Sequence, residues 1–262
     1  MNLDLLGKTA IVCGSTQGIG KATALQLAKM GANIVLVARN EVKLASVKDE
    51  LDISKGQKHN HIKADFNFPA ELKLSVEEFI KEHGPAHILV NNTGGPPGGQ
   101  AIAAKTDEYT SAFNMHLISN QSLAQALVEG MKSEGYGRII NVISTSVKQP
   151  LNGLGVSNTI RGAVASWSKT LANELGEFNI TVNNVLPGAT NTVRLQSIIE
   201  TKASKTGRSI DDISNEMTNQ VPMKRFAEAV EIANAISFLA SPAASYINGI
   251  NVPVDGGRTK SL

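Results

Sequence analysis

The 262-residue sequence contains one cysteine, no long hydrophobic run and little net charge. A single cysteine, Cys13, cannot form an intrachain disulfide, so an oxidising compartment is not indicated. No apolar run approaches the roughly 18 residues of a membrane-spanning helix, and the start of the chain lacks the features of a signal peptide. A formal net charge of +2 is too small to indicate a nucleic-acid or membrane partner. We therefore predict a cytoplasmic protein.

The sequence does contain enough apolar residues for one large buried core. They make up 42% of the chain, and its length suits a single α/β domain. Short β-branched runs alternate with helical patterns, and no change in composition marks a linker. Strands are predicted at 9–13, 33–38, 61–65, 88–91, 138–143, 180–186 and 251–254, and the helices include 41–54, 107–134 and 155–176. This alternation predicts one domain over residues 1–262 with a parallel sheet covered on both faces.

The most distinctive local pattern lies near the start of the chain, at residues 11–20. An apolar strand enters it, Gly14, Gly18 and Gly20 punctuate it, and a helical pattern leaves it. Glycine permits positive φ and the close approach of a ligand, while a helix N-terminus offers free N–H groups and a partial positive charge to a phosphate. The pattern predicts either a phosphate-binding turn or a plain turn between strand and helix.

The end of the second predicted strand bears on the type of ligand, because ligands of such sheets bind at the carboxyl ends of the strands. Ala38 and Arg39 stand there, where a protein that prefers NAD carries an acid for the ribose 2′-hydroxyl. A fixed cation suits a 2′-phosphate instead. Arg39 therefore favours NADP over NAD, and the alternative is a solvated arginine.

Polar side chains follow the fourth and fifth strands. The amides of 91–94 could brace neighbouring strands while Gly94 leaves room for a ring, although asparagine in a turn is also common for structural reasons. Ser144 follows the fifth strand, Ser157 comes thirteen positions later and Arg161 four beyond that. Residues i and i+4 share one face of a helix, so Ser157 and Arg161 could face the same point as Ser144. A solvated helix face is the alternative.

Together these motifs resemble those of the short-chain dehydrogenase/reductase family, in particular its 3-oxoacyl-acyl-carrier-protein-reductase-like members. The resemblance covers nearly the whole chain, in the family's order and spacing. The motifs are Gly14-x-x-x-Gly18-Ile19-Gly20, Asp65, Asn91-Asn92-Thr93-Gly94, Ile139-Ile140-Asn141 leading to Ser144, Pro187-Gly188, Tyr246-Ile247-Asn248-Gly249 and Val254-Asp255-Gly256-Gly257.

The resemblance implies a single-domain doubly wound Rossmann fold with a seven-stranded parallel sheet. It also implies a nicotinamide cofactor, a small-molecule carbonyl or alcohol substrate, and a homotetramer or homodimer built on two long helices. Arg39 is added to the cofactor-binding residues because its charge suits a 2′-phosphate. The expected set is Gly14, Ser15, Gly18, Ile19, Gly20, Arg39, Asp65, Asn92, Gly94, Arg161, Pro187, Gly188 and Thr190.

The catalytic motif departs from that of the family. Ser157 stands where the family has its acidic tyrosine, Arg161 where it has a lysine, and His116 at about the place of its asparagine, so only Ser144 matches. No tyrosine lies between Tyr136 and Tyr246 to restore the motif. A serine hydroxyl is a far weaker acid than tyrosine, whose ordinary pKa is about 10. Arg161 can stabilise an oxyanion but cannot relay protons.

Three functions are compatible with this motif. The first is an NADP-dependent reductase in which Ser144, Ser157 and Arg161 bind the carbonyl oxygen and water or His116 supplies the proton, since histidine titrates near pH 6.5. The second is a nucleotide-binding protein of the same fold, a sensor or partner, that has lost turnover. The third is an enzyme that uses the cofactor pocket for non-redox chemistry.

The polar stretch 190–221 lies between the Pro187-Gly188 motif and the last helix, and we predict that it forms a substrate lid. Its cations Lys202, Lys205 and Arg208 could meet an acyl-carrier or phosphate group, and a solvated helix face is the alternative. Two histidines at 59 and 61 alternate on a strand without an acid or cysteine cluster, so no metal site is predicted.

Overall fold

The apolar runs form a single parallel sheet in the computed structural model, which describes residues 1–261. The strands of this sheet are β1 (Thr9–Cys13), β2 (Asn33–Ala38), β3 (Asn60–Lys63), β4 (Ile88–Asn91), β5 (Gly137–Val142), β6 (Ile180–Pro187) and β9 (Asn251–Val254). They are ordered β3-β2-β1-β4-β5-β6-β9. Two short strands, β7 (Thr190–Asn191) and β8 (Ala227–Glu228), pair separately. This order confirms the predicted doubly wound fold with seven parallel strands. Leu262, the last residue of the predicted domain, lies outside the described residues.

Helices cover both faces of the sheet. They are α1 (Gly18–Lys29), α2 (Glu41–Asp49), α3 (Pro69–His83), α4 (Thr106–Phe113), α5 (Ser119–Ser133), α6 (Gly155–Leu175), α7 (Val193–Thr206), α8 (Ile210–Asn219) and α9 (Ala229–Ala240). Within residues 1–261, none of them combines the length and the apolar character that crossing a membrane requires.

Two predicted helices differ from those observed. The helix predicted over 41–54 ends at Asp49, and Asp52 then accepts a hydrogen bond from the backbone N–H of Ser54 at 2.7 Å in a local turn. The helix predicted over 107–134 is divided into α4 and α5 by a π-helical turn at Asn114–Ile118. A π turn accommodates one extra residue and is common at functional sites.

The core has one layer on each face of the sheet, so the strands are apolar on both sides. In β1, Ala10 and Val12 pack with Leu27 of α1 and Ile236 of α9. Ile11 and Cys13 point the other way and belong to the cluster that includes residues of α3, α5 and α6. Burial raises the pKa of the Cys13 thiol to about 12, so this cysteine is a small packing residue.

A row of asparagine side chains crosses four neighbouring strands of the sheet, from the last residue of β4 to the first residue of β9. Asn91 in β4 donates to Asn141 in β5 at 2.8 Å, Asn141 donates to Asn184 in β6 at 3.0 Å, and Asn184 donates to Asn251 in β9 at 2.8 Å. The four residues are directly paired in the sheet register. The row ties these four strands together, and at β4 it reaches the carboxyl edge, where ligands bind in such folds.

Candidate functional site

The glycine turn between β1 and α1 is built on contacts within the protein. Gly14 and Gly18 have φ of 58° and 54°, so the positive φ expected for glycine occurs at both. A side chain would also clash: a Cβ on Gly14 would lie 2.5 Å from the backbone oxygen of Asn92, and a Cβ on Gly20 would lie 2.2 Å from the oxygen of Gly14. Glycine is therefore required here by packing alone.

The N-terminus of α1 is left free to bind an anion. Its N-cap residue, Gln17, makes no capping side-chain hydrogen bond, and the first turn contains no acid. The hydroxyl of Ser15 is fully buried and has no hydrogen-bond partner among residues 1–261. Buried polar groups in folded proteins almost always have a hydrogen-bond partner. Free N–H groups, the helix dipole and an unpaired hydroxyl together fit a diphosphate.

The segment after β4 holds this turn in place. The side-chain amide of Asn92 donates to the carbonyl oxygens of Cys13 at 3.2 Å and Gly14 at 3.3 Å. Together with the Asn91–Asn141 hydrogen bond, this confirms the expectation that the amides of 91–94 brace neighbouring strands. Gly94 is exposed, and a Cβ there would have nothing within 4 Å, so the backbone is open to a ring.

A cleft of about 350 Å³ opens beside Arg39 at the ends of β2 and β3. Arg39 is exposed and shares the walls of the cleft with Lys63 and Asp65. Asp65 accepts hydrogen bonds from the backbone and side-chain amides of Asn67, both at 2.9 Å, which fixes its carboxylate. Lys63 lies 3.8 Å from Glu41. Arg39 is therefore the cation best placed to meet a ligand phosphate in this cleft.

Ser144 lies two residues beyond β5 and begins a turn of 3-10 helix at Thr145–Val147. Its half-buried hydroxyl accepts a hydrogen bond from the backbone N–H of Ser146 at 3.1 Å. That contact uses an oxygen lone pair, and the hydroxyl hydrogen has no acceptor in the described part of the chain. The hydroxyl can therefore donate to a ligand.

Ser157 and Arg161 stand on the first turns of α6, as their spacing indicated. Ser157 is half-buried, whereas Arg161 is only 8% exposed and donates from Nη1 to the carbonyl oxygen of Val142 at 3.0 Å. Burial, with a smaller contribution from the positive charge of Arg194, lowers the pKa of Arg161 to about 10. Arg161 remains a cation at neutral pH, and it lies at the carboxyl end of β5.

His116 does not have the titration predicted for it. It is the buried residue of the π turn, 2% exposed, and its Nδ1 lies 2.6 Å from the Thr93 hydroxyl oxygen. Burial, followed by the charge of Arg161, lowers the pKa of His116 to about 2. The expectation of an acid that titrates near pH 6.5 is therefore wrong. His116 is a neutral imidazole whose buried Nε2 has no partner within residues 1–261.

The Pro187-Gly188 motif and Thr190 join β6 to the predicted lid. Gly188 donates its N–H to Val254 at 2.9 Å, and a Cβ on it would lie 2.7 Å from the Cα of Asp255. The buried hydroxyl of Thr190 donates to the carbonyl oxygen of Gly188 at 3.1 Å. These contacts fix the backbone at the start of the segment 190–221.

That segment consists largely of α7 and α8, which share a small apolar cluster of their own. Two of its cations are already paired, because Lys202 lies 2.6 Å from Glu216 and Arg208 forms a second ion pair with the same carboxylate. This leaves less positive charge on the segment than its composition indicates. Its role as a lid stays a prediction.

Two residues that the sequence did not single out also lie at this edge. Thr192 caps α7 by accepting a hydrogen bond from Leu195, and its Cγ2 would lie 3.2 Å from a Cβ on Gly18. Arg194, in the first turn of α7, donates to the carbonyl oxygen of Pro96 at 2.8 Å. A threonine three residues before a buried leucine is a helix-cap signal, but the contacts of Arg194 have no signal in the sequence.

Among the described residues, no three His, Cys, Asp or Glu side chains are grouped as ligands of a metal ion. The site consists instead of hydroxyls, amides, a neutral imidazole and arginines at the carboxyl edge of a parallel sheet. A doubly wound sheet with this glycine turn at its edge defines a Rossmann-type α/β protein.

Comparisons with known proteins give the family. A family model described as Enoyl-(Acyl carrier protein) reductase matches residues 14–259. The chain is 32% identical to the 3-oxoacyl-[acyl-carrier-protein] reductase FabG of Staphylococcus epidermidis, over 96% of this chain and 99% of that protein. It is 29% identical to the NADPH-dependent reductase BacG of Bacillus subtilis, over 97% and 99%.

Among solved structures, the L-sorbose reductase of Gluconobacter frateurii, complexed with NADPH and L-sorbose, superimposes with a TM-score of 0.94. The two sequences are 33% identical, and the match covers 100% of each chain. The protein belongs to the short-chain dehydrogenase/reductase family.

Proposed function

We propose that the protein is an NADP-dependent oxidoreductase that interconverts a ketone and an alcohol on a small molecule. The observation that carries the proposal is the free N-terminus of α1 beside the buried, unpaired hydroxyl of Ser15. Both features suit a dinucleotide diphosphate, and they lie on the same sheet edge as Ser144 and Arg161. The NADPH in the L-sorbose reductase complex and the NADPH dependence of the Bacillus relative support the choice of cofactor.

The chain offers a contact for each part of such a cofactor. The backbone of residues 14–20 would hold the diphosphate, and Arg39 the 2′-phosphate in its cleft. Asp65, Asn92 and Gly94 would lie along the adenosine half, with the 187–190 segment and Arg161 at the nicotinamide half. When bound, the cofactor supplies or accepts the hydride that changes the oxidation level of the substrate carbon.

The residues around the reacting oxygen can stabilise negative charge but hold no tuned acid. Ser144 has a free hydroxyl hydrogen, and Arg161 keeps its charge in a buried place, where electrostatic stabilisation of an oxyanion is strong. Ser157 can add a second hydroxyl. His116 is neutral and can only hydrogen-bond. We infer that the proton comes from water, and the lack of a positioned acid typically costs about 10²–10⁴ in rate.

A nucleotide-binding protein without turnover is the second candidate, and the absence of a tuned acid beside Ser144 favours it. The two are separated by titrating NADPH and NADH by fluorescence and then following NADPH absorbance with ketones, sugars and β-ketoacyl thioesters. Tight binding of NADPH with no oxidation by any substrate supports the second candidate. Oxidation that depends on Ser144, tested with Ser144→Ala, supports the first.

Replacing Arg39 with aspartate should shift the preference from NADP towards NAD. A charge-assisted hydrogen bond is worth roughly 1.5–3 kcal/mol, so the Kd of NADPH should rise about tenfold to a hundredfold while that of NADH stays the same or falls. Lys81→Asp makes the same change of charge on an exposed position of α3 and serves as the control. An unchanged ratio of the two dissociation constants means that Arg39 faces only solvent.

Assembly as a homodimer or homotetramer on the long helices α5 and α6 is part of the same proposal. Light scattering after size exclusion measures the mass directly, and a monomer across micromolar concentrations contradicts it.

A further inference from the structure

A cavity of about 270 Å³ lies next to the turn that Ser144 begins. Thr145, which directly follows Ser144, forms part of its wall, and so do Gln149 and Leu151 from the loop that leads to α6 and Ser157. The rest of the described wall is made by Gln220 at the end of α8 and by residues 258–260. A substrate whose reacting oxygen lies at Ser144 would extend into this space.

The cavity is positively charged. Arg258 and Lys260 both line it, and none of the lining residues within 1–261 is an acid. Arg258 donates from Nη2 to the neutral side-chain oxygen of Gln220 at 2.9 Å, which orients its guanidinium without neutralising it. Cations that line a cleft without counter-charges concentrate the field there and attract anions.

Arg258 is held in place by its surroundings. Asp255 accepts hydrogen bonds from the backbone N–H groups of Gly257 at 3.0 Å and Thr259 at 2.8 Å, which closes the turn that carries Arg258. A Cβ on Gly256 would lie 2.8 Å from Val221, so this turn packs tightly against the end of the 190–221 segment. The guanidinium is therefore preorganised, which reduces the cost of ordering on binding.

The size and lining of the cavity are a poor match for a long acyl chain. Its volume is below the roughly 300–1,000 Å³ typical of small-molecule pockets. Of the seven lining residues described, Leu151 is the only one with a purely apolar side chain. An extended hydrocarbon chain would gain little here, because burial stabilises in proportion to the apolar area removed from water. A short polar molecule fits better.

We propose that this cavity binds the anionic group of a small polar substrate, a carboxylate or a phosphate, and that Arg258 is the residue that selects for it. The proposal deepens the function above and rests on it. The substrate proposed for this chain therefore differs from the acyl-carrier-protein substrates for which relatives such as FabG are named.

The test compares probes that differ in charge. Levulinate and acetoacetate are each paired with their methyl esters, and L-sorbose and the N-acetylcysteamine thioester of a β-keto octanoic acid serve as neutral polar and neutral apolar probes. Isothermal titration into the NADPH complex gives each Kd, and NADPH absorbance gives turnover. We expect the carboxylates to bind about tenfold or more tightly than their esters, the scale of a hydrogen bond to a charged group.

The variant Arg258→Met should remove this preference for the carboxylate while changing the Kd of NADPH by less than about twofold. Arg258→Lys should keep part of it. Lys81→Met, which removes an exposed cation from α3, should leave the preference intact. The readout is the ratio of the dissociation constants of ester and carboxylate for one protein preparation, so a partly unfolded variant does not distort it. The ratio measured for the wild-type protein tests the proposal by itself.

Equal binding of acid and ester, tighter binding of L-sorbose or the thioester, no binding of any carboxylate, or a preference that survives Arg258→Met overturns the proposal. Failure of the underlying function gives a different pattern. In that case NADPH is not bound, or it is bound and never oxidised, whether or not the carboxylates bind through Arg258.

Discussion

Replacing His116 with asparagine should make the stability of the protein less sensitive to acid. Burial and Arg161 lower the pKa of His116 to about 2 in the folded protein, whereas an imidazole in the unfolded chain titrates near pH 6.5. Below pH 6.5 the unfolded state therefore binds a proton that the folded state does not, and the free energy of unfolding falls as the pH falls. Above pH 6.5 neither state is protonated, and the effect disappears.

The size of the effect follows from the separation of the two pKa values. Each pH unit below the unfolded pKa costs about 1.4 kcal/mol, so His116 should lower the free energy of unfolding by about 2 kcal/mol at pH 5. This requires only that the folded pKa lies below about 4. Urea unfolding of wild type and His116→Asn, at pH 7.5 and pH 5 and one protein concentration, gives the difference. The other titrating groups are present in both proteins, so their contributions cancel when the two free energies of unfolding are subtracted.

A difference in stability between wild type and His116→Asn that is the same at both pH values refutes the reasoning. Thr93→Val is the matched control, because it removes the partner of Nδ1 but keeps the buried imidazole, and it should retain the acid sensitivity. The profile of turnover against pH should likewise show no inflection from His116 between about pH 5 and 8. An inflection lost in His116→Asn would restore histidine as the acid.

Two further predictions concern the scaffold of the site. Asn141→Ala removes three buried hydrogen bonds, two within the asparagine row and one to Ser168, and should cost roughly 2–4 kcal/mol in urea unfolding. The exposed Asn152→Ala should stay within about 0.5 kcal/mol, and a similar value for both variants contradicts the role of the row. Gly20→Ala should destabilise by roughly 1–3 kcal/mol and weaken NADPH binding, because its Cβ would overlap the oxygen of Gly14. The control Gly162→Ala, in open space on α6, should be neutral or stabilising, and unchanged NADPH binding in Gly20→Ala would count against a cofactor on this turn.

The pattern of apolar residues was sufficient to predict the architecture. Strands buried on both faces read as short continuous apolar runs, and alternation with helices leaves a parallel sheet as the physical solution. The errors in the helices have local causes. The turn at Asp52 depends on a side-chain hydrogen bond, and the π turn adds a residue that a helical period of 3.6 does not reveal.

The glycine turn separates what the sequence predicts from what the tertiary structure explains. Three glycines between an apolar run and a helix indicated positive φ, which occurs at Gly14 and Gly18. The clash that a side chain on Gly14 would suffer is with Asn92, a residue far away in the sequence. That contact exists only because β1 and β4 pair in the sheet. The sequence located the turn, and the sheet explains why it tolerates no Cβ.

By itself the sequence determined the fold, the family and the positions of Ser144, Ser157 and Arg161 on a strand end and a helix face, because these follow from short-range spacing. Only the tertiary structure decided the electrostatics. His116 is neutral because it is buried beside a cation. Arg258 lines a cavity that has no acid among its described lining residues, because the turn at 255–259 packs against the end of the 190–221 segment. Charge and protonation depend on neighbours brought together by folding, and residue type alone does not specify them.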